Sequence, residues 1–147
     1  MKSRLMPVSL VALLCATALV CVGKEQESLA DLKARADAAK LSDQPHLYMD
    51  VADRQLETAT QKFNTGDAEV ALASVQDMVA YSHKAEDAAL KSGKHLKQTE
   101  ISLRRIVVKL RDLKRAVSFE DRPPIQSAID DLEKLRTELL TRMFAKD

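Results

Sequence analysis

LKQTEISLRRIVVKLRDLKRAV, residues 96–117, carries its apolar side chains at a spacing that brings them onto one face of a helix. One seven-residue repeat consists of Leu96, Leu103, Leu110 and Val117, and a second repeat, offset by three residues, consists of Thr99, Ile106 and Leu113. This alternation of three and four residues predicts a packing seam of the coiled-coil type. The stretch indicates an architecture and names no substrate.

The same phase continues backwards from this stretch and crosses Gly93 without a slip. Seven small or apolar positions keep it, namely Ala71, Val75, Met78, Ser82, Ala85, Ala89 and Ser92. A phase kept across a glycine predicts either one helix of about 50 residues, about 75 Å long, or two helices that meet end to end at a kink near residues 92–93. We favour the single helix, straight or bent.

A second apolar stripe lies on the other side of the 96–117 stretch. Ile101 and Val108 stand seven residues apart, with Arg104 and Arg105 between them, and Val107 lies between the two stripes. Either the helix is central and packs on two sides, or Ile101, Val108 and the two arginines form an exposed partner surface. The sequence favours burial within the monomer, because a central helix needs two apolar faces.

The first 23 residues have the order of a secretory signal peptide. Two basic residues precede the uncharged run Leu5–Val22, which ends at the small residue Gly23. We therefore expect export to the periplasm or the extracellular space, with cleavage near Gly23. The alternative is an uncleaved membrane anchor, since about 18 apolar residues approach the length that crosses a bilayer. Both cysteines lie in this segment, so the cleaved chain has no thiol for a disulfide or a metal.

The remainder, residues 24–147, is predicted to be one all-α domain. The whole chain contains only three glycines and four prolines, and helix-forming residues dominate it. Breaks near Pro45, Gly66 and Pro123 separate successive helices. We divide the domain into a weak first helix (24–41), a first hairpin (45–92) that turns at Gly66, and a second hairpin (94–145) that turns before Pro123. The prediction is a bundle of about four helices, in which two antiparallel αα-hairpins share a long or kinked central helix.

Charge is distributed unevenly along the chain. Residues 25–90 contain 13 acidic and 6 basic residues, whereas residues 91–115 contain 9 basic and 2 acidic residues. Pairing between helices of one domain is the simplest explanation. Glu100 and Arg104 also have the acid-first i,i+4 order that stabilises a helix. The alternative is an anion-binding row, Lys97, Arg104 and Arg111, that contacts anionic lipid or polysaccharide.

Motifs of catalysis and of metal binding are absent from the sequence. It has no nucleophile elbow, P-loop, GxGxxG, HExxH or Glu-x-x-His pair, and only His46, His83 and His95 offer imidazole ligands. We expect no cofactor, no metal and no small-molecule substrate. Nucleic acid is not an expected partner, because the chain is exported and few aromatic residues accompany the cations.

The sequence thus predicts an exported, non-enzymatic interaction or scaffolding module of the cell envelope, which binds a protein partner or a second copy of itself. Attachment to an anionic envelope surface through residues 91–115 is the first alternative. An envelope enzyme with dispersed Glu, Asp and His residues is the second.

Overall fold

The computed structural model describes residues 27–145, in which all regular secondary structure is helical and no strand occurs. The helices are α1 (Leu29–Ala38), α2 (Gln44–Asn64), α3 (Ala68–Ser92), α4 (Leu96–Ala116) and α5 (Arg122–Phe144), and a single 3-10 turn (Phe119–Asp121) precedes α5. The all-α prediction is confirmed for this part of the chain. The proposed signal segment, residues 1–23, lies outside the described residues.

Short-range chemistry explains where most helices begin and end. Ser28 caps α1, because its Oγ accepts a hydrogen bond from the Asp31 backbone N–H at 3.1 Å. Gly66, with φ of +81°, reverses the chain between α2 and α3. The prolines of α2 and α5 stand in the first turn, where no backbone donor is needed. Helix α1 is shorter than the predicted 24–41, because the chain turns after Ala39.

The favoured single helix from residue 71 to residue 117 is wrong. Helix α3 ends at Ser92, and both Gly93 and His95 adopt left-handed backbone conformations, with φ of +65° and +60°. Two left-handed residues within three positions turn the chain back on itself, because neither can continue a right-handed helix. The described chain therefore has five helices instead of about four, and no central helix is shared by the two hairpins.

Each hairpin consists of two helices that run antiparallel. Helices α2 and α3 are joined by the turn at residues 65–67 and make the most extensive contact in the molecule. Two ion pairs join α4 to α5, Arg111 with Glu133 and Glu100 with Arg136. The later residue of α4 pairs with the earlier residue of α5, so the two helices run antiparallel.

The two hairpins pack side by side. Asp53 of α2 binds Arg105 and Lys109 of α4, and further along the same two helices Asn64 and Ala116 line one groove. Helices α2 and α4 therefore run parallel. Helices α3 and α5 also run parallel, because Leu72 and Pro124 line one cavity and Glu86 lies beside Glu138 further along both helices. Helix α1 lies across α2 and buries Leu32 and Ala36.

The core lies where the two hairpins meet. Its largest fully buried apolar side chains come from α3, α4 and α5: Met78, Leu103, Ile106, Leu110, Ile125, Leu132 and Leu139. The predicted repeat positions from Ala71 to Leu113 are buried, except Ser92 and Leu96, which are half-buried. The predicted phase thus identifies the inner faces of α3 and α4 correctly, although the two helices are separate.

Candidate partner surface on helix α4

Helix α4 carries a row of exposed side chains on the face opposite its packing seam. We call this row the outer stripe: Lys97, Ile101, Arg104, Val108, Arg111 and Arg115. Successive members are separated alternately by four and three residues, so they lie one above another along the helix. The stripe is therefore a continuous surface of four cations and two aliphatic side chains.

The two aliphatic residues of the stripe are exposed to solvent. Ile101 retains 40% and Val108 retains 51% of its accessible surface, whereas Val107 is 1% exposed and belongs to the core. Burial of Ile101 and Val108 within the monomer, the alternative that the sequence favours, is therefore wrong. The reason is positional, since helices α2 and α5 flank α4 and no described helix covers its third side.

Ion pairs bind the cations of α4 to very different extents. Arg105 and Lys109 both pair with Asp53 of α2, the latter at 3.1 Å, and thus connect the two hairpins. Arg111 pairs with Glu133 of α5 at 2.9 Å. Lys97 and Arg104 have no ion pair within residues 27–145, so the predicted anion-binding row retains two of its three cations for an outside partner.

A buried ion pair attaches α4 to α5 at Glu100, the residue that precedes Ile101. Glu100, 7% exposed, accepts hydrogen bonds from Nε and Nη2 of Arg136 on α5 at 3.1 and 2.8 Å. Arg136 also donates to Glu133 at 2.7 Å. The sequence indicated a pair between Glu100 and Arg104. This pair does not form, because Glu100 points inward to Arg136. Nε and Nη2 of Arg136 both donate to the same carboxylate oxygen, Oε1, and these charge-assisted hydrogen bonds attach α4 to α5 beside the outer stripe.

A groove opens between the C-terminal halves of α2 and α4. Its volume is about 520 Å³, and its lining is mainly apolar. It is lined by Leu56, Glu57, Thr60, Gln61, Asn64, Lys109, Asp112, Leu113 and Ala116. The volume is in the range of small-molecule sites, and the charged side chains of its lining are Glu57, Lys109 and Asp112.

The opposite end of the same helix pair is polar. The rings of His46 and His95 lie with centroids 5.8 Å apart beside a cavity of about 70 Å³, which Asp50 and Thr99 also line. Desolvation raises the pKa of Asp50, although nearby His46 opposes this effect. Across residues 27–145, no three histidine, cysteine or acidic side chains converge as metal ligands.

Sequence reasoning missed a buried carboxyl group on α3. Glu86 is 6% exposed, and its Oε1 has no hydrogen-bond partner among the described residues. Desolvation, together with the neighbouring carboxylate of Glu138 on α5, raises its pKa to about 7. One signal was present in the sequence, since Glu86 stands four residues after the seam position Ser82 and therefore on the inner side of the helix.

Comparison with protein-family models, with curated proteins and with solved structures found no match to this chain. Within the described residues, no helix combines the length and the apolar character needed to cross a bilayer. The interpretation of the stripe therefore depends on its own geometry and charge.

Proposed function

We propose that this chain is an exported, non-enzymatic interaction or scaffolding module of the cell envelope, and that the outer stripe of α4 is its binding surface. We further propose that helices α2–α5 act as one four-helix bundle, a rigid scaffold that holds α4 in place. The observation that carries the proposal is the exposure of Ile101 and Val108 in a row of cations of which two, Lys97 and Arg104, have no ion pair within residues 27–145. Arginine is enriched at protein interfaces, and the centre of an interface is more apolar than the rest of the surface.

The double substitution Ile101→Ser, Val108→Ser tests this proposal. A photocrosslinking residue at the exposed, neighbouring position Gln98 would capture the partner in the native envelope. We expect the double variant to lose at least about tenfold of the crosslinked complex, since two aliphatic contacts contribute about 1.4 kcal/mol or more to binding. Its unfolding midpoint should stay near that of the unchanged protein, because both side chains are already exposed.

The matched control is Leu41→Ser, Val70→Ser, which changes two apolar residues of similar exposure, 45% and 43%, outside the stripe. This control should keep the crosslinked complex. A complex that survives in the stripe variant would contradict the proposal, and a large loss of stability there would show that the stripe belongs to the core.

Attachment to an anionic envelope surface is the second candidate, and one observation favours it. Lys97 and Arg104 have no intramolecular ion pair within the described chain. Unpaired cations attract anionic lipid or polysaccharide over a Debye length of about 8 Å at physiological salt. Co-sedimentation with envelope fragments that disappears at high salt, and also in Lys97→Gln, Arg104→Gln, would favour this candidate.

A further inference from the structure

From the outer stripe of α4 we infer the chemistry of its partner: an amphipathic α-helix with an acidic and aliphatic face, which packs lengthwise along the stripe. This inference rests on the proposed function, because it names the partner class of the same surface. Three features of the stripe lead to it, namely its spacing, its charge and the shape of the surface around it.

The spacing of the stripe is that of a coiled-coil seam. From Lys97 to Arg115 its members alternate by four and three residues, which is the repeat that a second helix follows when it supercoils around the first. Ile101 and Val108 occupy equivalent positions one heptad apart. Two aliphatic knobs at this distance match the apolar positions of a partner helix that lies beside α4.

The charge of the stripe determines the sign of the partner. None of its six members is acidic. Lys97 stands four positions before Ile101, and Arg104 stands four positions before Val108. Neither cation has an ion pair in residues 27–145. A second copy docked through the same stripe would bring four unpaired cations, Lys97 and Arg104 of each copy, into one interface, so self-association through this face is disfavoured. Carboxylates on either side of an apolar seam complement it.

The shape of the surface favours a helix over a bilayer. The stripe contributes only two half-exposed aliphatic residues and no aromatic residue, whereas helices that bind membranes by insertion carry a broad apolar face with Trp, Phe or Leu. The six members of the stripe stand in one line along a single continuous helix, Leu96–Ala116. A long, narrow ridge of this kind suits a rod-shaped partner that lies lengthwise on it.

A designed peptide tests the inference directly. The probe has about four heptads with Ile and Leu on its seam and Glu on both flanks, and the control peptide replaces each Glu by Lys. Fluorescence anisotropy at low salt should show binding of the acidic peptide to the folded chain and much weaker binding of the basic one. The substitutions Ile101→Ser, Val108→Ser should weaken binding about tenfold, while Leu41→Ser, Val70→Ser should leave it unchanged.

A charge reversal provides the most specific result. In Lys97→Glu, Arg104→Glu, binding of the acidic peptide should fall and binding of the basic peptide should rise, because the sign of the flanks is exchanged. Both side chains are exposed, so the fold should tolerate the change, and circular dichroism checks this. Equal binding of both peptides, or binding that ignores the reversal, would overturn the inference.

Vesicles of anionic phospholipid supply the remaining comparison. If the chain binds these vesicles through the stripe but does not bind the acidic peptide, the helical partner is wrong and the surface serves lipid. If neither probe binds while crosslinking in the native envelope still depends on Ile101 and Val108, the inference fails and the proposed function stands. Loss of that crosslinking dependence would instead remove the proposed function itself.

Discussion

The buried carboxyl group of Glu86 should make the stability of this protein depend on pH. Its pKa of about 7 lies above its ordinary value of 4.5, so between these values the folded state holds a proton that the unfolded state has released. Well below pH 4.5 both states hold the proton, and the folded state then buries a neutral carboxyl group instead of a charged one. Stability should therefore fall as pH rises from 4.5 to about 7 and remain low above that.

Glu86→Gln should remove this dependence, because the amide stays neutral. We expect urea unfolding at pH 8 to show a more stable variant than the unchanged chain, and the difference should shrink at pH 5. The same chemical change at Glu57, an exposed acid of α2, is the control and should leave the pH dependence in place. If both variants follow the original pH profile, the carboxyl pair between α3 and α5 has no energetic role.

Truncation of core leucines should destabilise the protein strongly. Leu110 of α4 and Leu132 of α5 are both fully buried, so Leu110→Ala and Leu132→Ala should each cost about 2–5 kcal/mol. Leu41→Ala, at a site that is 45% exposed, should cost little. Thermal or urea unfolding measures all three, and equal midpoints would contradict the packing of the second hairpin.

Residue by residue, the sequence predicted the inside of the molecule better than its polar contacts. Periodicity alone predicts the burial of Leu103, Ile106 and Leu110, because burial repeats with the helical turn. The partner of Glu100 does not, since Arg136 lies 36 positions away and is brought close only by the folding of the second hairpin. Exposure of Ile101 likewise depends on how many helices surround α4, which one helix cannot reveal.

At the scale of helices, the boundary between α3 and α4 is where sequence reasoning failed. The hydrophobic phase on the two sides of Gly93 agrees, and a continuous phase is what one long helix would produce. The phase reports only which face of each helix is buried. It contains no information about the direction of the chain, which Gly93 and His95 determine through their left-handed backbone conformations.

Substitution of Gly93 distinguishes a turn from a continuous helix by the sign of its effect. At φ of +65°, Gly93→Ala should destabilise the protein by about 1–2 kcal/mol, although no atom lies within 4 Å of the added Cβ. In an uninterrupted helix the same change would stabilise by about 1 kcal/mol. His95→Gly, at φ of +60°, should relieve strain and be neutral or stabilising. Chemical unfolding of both variants checks these signs.

Over the whole molecule, the acidic and basic halves of the sequence meet at few points. Asp53 of α2 pairs with two cations of α4, whereas Arg111 and Arg136 pair with Glu133 within the second hairpin. Intramolecular pairing, the simplest explanation of the uneven charge, is therefore only part of the answer. The side of the molecule formed by α4 keeps a positive surface, which supports a partner of negative charge.

Export is the prediction that concerns the chain as a whole and sets where such a partner would be met. Its basis is the order of charge, apolar run and small residue across positions 1–23, outside the described residues. Intact-mass measurement on protein from the native host should give the mass of residues 24–147. A basic substitution in the apolar run, Leu13→Arg, should leave the precursor uncleaved, because the h-region must be apolar to be recognised. A conservative Leu13→Ile provides the control.

A full-length mass in the unchanged protein would instead indicate a retained anchor, and the outer stripe would then act at a membrane surface to which the chain is tethered.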